Sequence, residues 1–351
     1  MDFLAYKSAC RLARASPVFT RIVQKRLYLE VVLEGKENAC KWLESDSTIR
    51  AEFATRTLAL SAKAGQLIGA EVVEKVLVSQ TSALKELGLF HVERVKSSSL
   101  NAFTGQSPAV VIQEAEADGT FPDLLVLSLD KCDVKMDDSA DKPTFRLDEL
   151  VIYHAAVPSP YLSDLMASSR HSLRSTRLDG LDDFDWNPIA STTLPQLRRL
   201  HLAGPHIPAL PIFLSGCENL KRLRLDRYNE DPPIPISDLT SFSQLAKELA
   251  SLPKPTLTTL HLVLEYYGRN GGNVTRQEVE DLIELPSLSN LENLTLHVPM
   301  SWTVSDVEGL RKNKGKKGKL VIEVEPNIVS LVLPHRSRAR ADLSFSMQWN
   351  L

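Results

Sequence analysis

LPQLRRLHLAG, residues 194–204, returns almost at once as CENLKRLRLDR at 217–227. In both stretches leucines fall at steps of three and two: Leu197, Leu200 and Leu202, then Leu220, Leu223 and Leu225. The second set begins 23 residues after the first (220 − 197). The last two leucines of each triplet alternate along a short strand and so point to one side. A single strand cannot bury that side. Stacking such strands in parallel joins their leucines into one continuous core. The residue between them, His201 or Arg224, then faces the other way, toward solvent.

The same spacing is traceable along most of the chain. It predicts strands centred on ATRTLALSA (54–62), LKELGLF (84–90), LLVLSLD (124–130), LDELVIY (147–153), LRSTRLD (173–179), LTTLHLV (257–263) and LENLTLH (291–297), with LVIEV (320–324) closing the array. Intervals between first leucines run from 23 (147 − 124) to 40 (124 − 84), so some repeats carry insertions. One of these, 101–120, reads as a polar loop. Another, 226–256, opens with the turn-rich RYNEDPPIPIS and then holds a helix bearing Leu239, Phe242, Leu245 and Leu249 on one face. Further helices are signalled by SPYLSDLMASS at 159–169, by Thr275 with Glu278 as a capping box, and by Thr303 as an N-cap. Short strands alternating with helices define an α/β leucine-rich-repeat solenoid, a curved parallel sheet with helices outside the curve. Its repeats are expected over 47–326, behind a helical cap at 1–46 and ahead of a loosely ordered tail at 327–351. At 351 residues the chain suits about ten such units plus a cap. The consensus turn residue, Asn or Cys three positions after the last leucine, is met by Cys132 but not by Pro205 or Tyr228, so the turns vary.

Composition narrows the function. Lys and Arg total 41 against 44 Asp and Glu, a net charge of −3, which gives no electrostatic case for nucleic acid. The runs RKNKGKKGK (311–319) and RSRAR (336–340) read first as a solvated loop and tail, and second as an import signal or nucleic-acid contact. Cys10, Cys40, Cys132 and Cys217 have neither disulfide nor metal spacing and are expected to be small buried thiols in a reducing compartment. MDFLAYKSACRLAR lacks the apolar core of a signal peptide, and LLVLSL at 124–129 is far too short for a membrane span. A cytoplasmic or nuclear protein with no membrane contact is expected. No phosphate-binding Gly-Lys-Ser/Thr loop, HExxH or cysteine pair at metal spacing is present, and GRNGG at 268–272 is a surface turn rather than a dinucleotide fingerprint. No enzyme, cofactor or metal is expected.

The N-terminal region predicts a helix over 2–14, a second one begun by Ser16 and Pro17, a strand over 27–33 and a helix over 35–45. CRLARASPVFTRIVQKRLYLEVVLEGKENACKWLES, residues 10–45, resembles the second half of an F-box running into the first repeat of fungal F-box/leucine-rich-repeat-like proteins. The matching residues are Leu12, Ala15, Ser16, Phe19, Leu27, Tyr28, Val31 and Leu33. The family's first F-box helix, with its Leu-Pro, has no counterpart before Leu12, so the resemblance implies an F-box lacking its first half. It further implies a substrate-recruiting subunit of a cullin–RING ubiquitin ligase, with Leu12, Phe19, Leu27 and Tyr28 toward the ligase adaptor. The rival expectation is a free-standing scaffold whose cap only seals the end of the solenoid.

Candidate partner-binding residues follow from the repeat register. The outward columns contain Ser128 and Asp130, Glu149 and Tyr153, Arg177 and Asp179, Arg199 and His201, Arg222, Arg224 and Asp226, His261, then Thr295 and His297. Arginine clusters in the middle repeats, where a concave surface would grip a partner, and Arg is a frequent hot-spot residue through its planar fork. A merely solvated strand face reads equally well from the same residues, since such faces need polar side chains regardless.

Overall fold

The computed structural model describes residues 11, 17–45, 55–62, 68–79, 84–92, 94–101, 124–136, 143, 146–180, 193–203, 210–226, 242–264, 274–298, 302–313 and 320–326. The leucine spacing becomes a parallel sheet of 11 strands whose order follows the chain. The order is β1 (Glu30–Glu34), β2 (Thr57–Ser61), β3 (Glu86–Phe90), β5 (Val126–Asp130), β7 (Glu149–Tyr153), β8 (Ser175–Asp179), β9 (Arg199–Ala203), β10 (Arg222–Asp226), β11 (Thr259–Val263), β12 (Asn293–Val298) and β13 (Val321–Pro326). Two short strands, β4 (Val95–Lys96) and β6 (Val134–Lys135), pair beside it. Every junction is parallel and in register, so equivalent residues of successive repeats stand side by side. This is the leucine-rich-repeat solenoid that the spacing predicts.

The second and fourth residues of each strand form the core ladder. Leu58, Leu87, Leu127 and Leu150 continue through Thr176 to Leu200, Leu223, Leu260 and Leu294. All are at most 1% exposed. The helices pack on this same side. They are α1 (Pro17–Leu29), α2 (Gly35–Glu44), α3 (Ala70–Val78), α4 (Ser97–Asn101), α5 (Ser159–Ser168), α6 (Leu210–Leu214), α7 (Phe242–Ala250), α8 (Arg276–Ile283) and α9 (Val304–Arg311). Their inward residues, among them Val76, Leu165, Phe213, Leu245 and Leu282, join the strand leucines in one core cluster. Capping boxes start α8 and α9, Thr275 with Glu278 and Thr303 with Asp306. Each ties two backbone amides that the first helical turn would leave bare.

One expectation needs correction. Residues 27–29 are helical, not strand: α1 continues to Leu29 and the strand begins at Glu30. The alternation of LYLEVVL over-extended the strand, since only Val31 and Leu33 of it reach the core as strand residues. Leu33 pairs with Leu60 and Val31 with Leu58, so this strand opens the continuous sheet. Cys132 and Cys217 are buried free thiols, while Cys40 is only half buried. Burial pushes the Cys132 thiol up to about 11 and the Cys217 thiol up to about 12, since a thiolate would lose its solvation there. All but Arg11 of the expected helix over 2–14, all but Asn101 of the expected loop at 101–120, and Leu239, Cys10, Pro205, Tyr228, GRNGG and the tail at 327–351 lie outside the described residues, as does most of the basic run at 311–319; Asn101 itself ends α4.

Turns are built by backbone conformation as well as by side chains. The residue following β3, β5, β7 and β8 takes a left-handed φ: 55° at His91, 50° at Lys131, 48° at His154 and 66° at Gly180. In the first three the amide still donates to the next repeat, 2.8 Å from the carbonyl oxygens of Asp130, Tyr153 and Asp179. Gly180 has a second reason to be glycine, because a Cβ there would come within 2.5 Å of His154 Nδ1. Cys132 occupies its consensus slot as expected, its Sγ donating toward Leu89 O at 3.2 Å. On the strand-leading side, Asn219 donates to Pro195 O at 2.8 Å, and Asn290 makes the equivalent bond to Pro255 O. Each of these asparagines stands directly before the first leucine of its triplet, and each proline stands two residues before that of the previous repeat.

Candidate functional site: the open strand face

The first, third and fifth residues of each strand form the other face of the sheet, which no helix covers among the described residues. In-register pairing sorts this face into three columns. The middle column reads Val32, Ala59, Gly88, Ser128, Val151, Arg177, His201, Arg224, His261, Thr295 and Glu323. It is small or apolar up to Val151, then cationic or imidazole-bearing for four strands. The first column brings Glu149, Ser175, Arg199 and Arg222 together in order. The fifth brings Asp130, Tyr153 and Asp179 together.

The junction between these regions is a cluster around Arg177. Its guanidinium lies 5.2 Å from the centroid of the Tyr153 ring and 3.6 Å from the Asp179 carboxylate. The stacking fixes the plane of the fork. Asp179 is only 7% exposed, so its carboxylate lies beneath the surface beside Arg177. Burial raises the Asp179 carboxyl above the ordinary value, with Arg177, His154 and His201 pulling it back. Asp130 is raised by burial too, against the lowering influence of His91, Lys131, His154 and Arg177. One Asp130 oxygen, Oδ1, is shut from solvent without a hydrogen bond. Arg199 reaches across β8 to Glu149 at 3.5 Å. Glu149 is raised mainly by burial, and Ser175 and Arg199 draw it down.

Beyond this junction, Arg222 and Arg224 are exposed on β10. The His261 and His297 rings lie 4.9 Å apart on neighbouring strands. The side chain of Asp226 lies outside the described residues. The register therefore gathers Tyr153, Arg177 and Asp179 with Asp130, and Arg199, His201, Arg222 and Arg224 with His261 and His297. No group of three or more His, Cys, Asp or Glu among the described residues could hold a metal ion. No helix there is long and apolar enough to cross a membrane.

The four residues assigned to an adaptor fare differently. Leu12 lies outside the described residues. Phe19 and Leu27 are in α1, with nothing described of their side chains. Tyr28 is partly buried against Trp42, ring centroids 5.2 Å apart, and so helps to fasten α1 to α2. Sequence reasoning missed Ile22 as a surface residue. It is 61% exposed, while its neighbour Val23 is 8% exposed and faces the protein. Helical periodicity over 17–29 would have separated the two.

The fold and the face together define an α/β leucine-rich-repeat solenoid with an open strand surface. No family model and no curated protein matches the sequence. Among solved structures, the chain is similar to the leucine-rich repeat-containing protein LegL7 from Legionella pneumophila. That match has 14% identity, covers 84% of this chain and 82% of the other, and has a TM-score of 0.39. It is also similar to the structure of the Rad7 and Elc1 complex in yeast. There the identity is 14%, the coverage 86% of this chain and 76% of the other, and the TM-score 0.40.

Proposed function

We propose that this protein is a non-catalytic recognition module that holds a protein partner on its open, concave strand face. The observation behind this reading is the register itself: Arg177, His201, Arg224 and His261 are consecutive neighbours across four strands, on the face the helices leave bare. Such a surface is rigid and is supported from beneath by the leucine ladder, so its side chains are positioned before a partner arrives. The chain performs no chemistry of its own in this reading. It works inside the cell, in cytoplasm or nucleus, without a membrane.

The finer reading makes it the substrate-recruiting subunit of a cullin–RING ubiquitin ligase, with α1 toward the adaptor. Two things favour it: the resemblance over residues 10–45, and the outward apolar side chain of Ile22 on a helix anchored by Val23. The expected result is that tagged protein recovers a ligase adaptor and a cullin from a eukaryotic lysate, and that Ile22→Asp loses both with an unchanged melt. Recovery of neither by the wild type removes the ligase reading. The packing of Tyr28 on Trp42 would then favour the second reading, a scaffold whose N-terminal helices seal the first strand.

A further inference from the structure

We infer that the strand-leading rim of β9 and β10 binds a phosphoryl group, carried on a phosphorylated serine or threonine of a partner protein, through Arg198, Lys221 and Arg222. The inference rests on the recognition reading above and names a ligand chemistry for it.

Arg198 and Arg199 open β9, and Lys221 and Arg222 open β10; all four are exposed. The Arg198 carbonyl oxygen accepts from the amides of both Lys221 and Arg222, each at 2.9 Å. Arg199 stands beside Arg222 in register. The backbones of the four residues are therefore tied together, about 5 Å apart across the strand pair.

Ion pairing divides the cations of this rim into two groups. Arg174 holds Asp148 at 3.2 Å, Arg199 holds Glu149 at 3.5 Å, and Lys254 holds Glu218 at 2.8 Å. Each of these carboxylates already has its cation. Arg198, Lys221 and Arg222 have no carboxylate at ion-pair distance and no side-chain hydrogen bond among the described residues. Asp226 is four residues on from Arg222, at the other end of β10, roughly 13 Å along the strand. Two guanidinium forks and one ammonium, all on long stems, are thus available to a single anion.

The compactness of the group selects that anion. Two acidic side chains on one side of an extended segment stand about 7 Å apart, so a run of Asp or Glu presents one charge at a time. A phosphoryl group places roughly −1.5 to −2 charge and three acceptor oxygens on one centre, which suits two forks and a point charge. A nucleic-acid backbone needs a track of cations. Here Asp148 and Glu149 at β7 bound the rim on one side, and exposed Glu292 ahead of β12 bounds it on the other. Exposed ion pairs contribute little singly, so the rim holds free phosphate weakly. A phosphorylated segment binds better because it also covers the neighbouring strand face.

The test is retention of degenerate peptide libraries by the immobilised full chain, with phosphoserine, serine or glutamate fixed at the central position. The phosphoserine library should be retained over the other two and displaced by inorganic phosphate. Its retention should fall on the order of tenfold in Arg198→Gln/Lys221→Gln/Arg222→Gln. Arg198→Lys/Arg222→Lys keeps the charge, removes the forks and should fall in between. Lys36→Gln/Lys75→Gln/Lys247→Gln takes the same charge from exposed positions on α2, α3 and α7 and should retain like wild type. All these substitutions are exposed and should leave the melt unchanged. Equal retention of the serine or glutamate library by wild type, or undiminished retention by the triple rim variant, overturns the inference. If the triple rim variant melts lower, the lysine pair decides, and retention equal to wild type overturns the inference. Tighter binding of labelled hexathymidylate than of the phosphoserine library overturns it in favour of a nucleic-acid site. The recognition reading is judged separately, by partner capture with Arg224→Glu. A wild type that captures partners through Arg224 yet shows no preference for phosphoserine overturns the phosphoryl inference alone.

Discussion

The two halves of the open face stand on the same leucine ladder and differ in what they show to solvent. From β1 to β7 the middle column runs Val32, Ala59, Gly88, Ser128, Val151, with charge confined to the outer columns. From β8 to β11 it runs Arg177, His201, Arg224, His261. Beneath both, leucines at most 1% exposed repeat with little variation. In a solenoid the buried positions are fixed by their neighbours, while the outward positions answer to nothing but solvent and ligand. A cationic run is therefore not needed by the fold, and the half without one shows that the sheet forms equally well.

The largest expected effect tests the shared core. Leu87→Asp in the first half and Leu200→Asp in the second should both unfold their repeats. Each loses roughly 1.5–3 kcal/mol of apolar burial and also buries a charge with no partner. Thermal melts unchanged from wild type would remove either residue from the core. A smaller effect, of opposite sign, is expected at the single break in the ladder. Thr176 is 1% exposed, lies between Leu150 and Leu200, and its hydroxyl has no hydrogen-bond partner. Thr176→Val keeps the shape, removes the stranded hydroxyl, and should stabilise by about 1 kcal/mol in a denaturant titration. A destabilised variant would show that the hydroxyl is satisfied in solution.

A pH experiment sharpens the junction between the halves. Burial raises the Asp130 carboxyl in the folded state, so the folded protein holds that proton more tightly than the unfolded chain does. Stability from this group is thus lowest when it is ionised, at neutral pH, and rises as pH falls through the raised value toward the ordinary carboxylate range. Asp130→Asn should melt higher than wild type at neutral pH, and the difference should shrink as the wild-type carboxyl protonates. A difference that stays constant or grows on acidification contradicts the assignment. The smallest stability effect belongs to Arg224→Glu, an exposed substitution expected to shift stability by no more than about 0.5 kcal/mol.

Much of the solenoid is legible in the sequence because its signal is periodic. Leucine at steps of three and two fixes which side of each strand is buried, and the same register places Arg199, His201 and Arg224 outward before any coordinates exist. The start of β1 was not legible. Leu27, Tyr28 and Leu29 alternate with their neighbours as a strand would, yet they complete the last turn of α1. The turns were hidden for another reason. His91, Lys131 and His154 adopt a left-handed conformation that their residue type does not announce, held there by amides that continue the ladder. Partner choice was hidden too. Arg177 on Tyr153 and Arg199 on Glu149 join residues far apart in the chain, and which of two flanking strands an arginine leans toward depends on packing. The outward side of Ile22 was available from helical periodicity and was not used.

The central claim is that the cationic half of the open face does the recognising. The most direct measurement is quantitative partner capture by wild type and by Arg224→Glu at matched protein level and matched melting temperature. A severalfold loss of specific partners from the variant is the predicted result. Recovery of the same partners in the same amounts would contradict the claim.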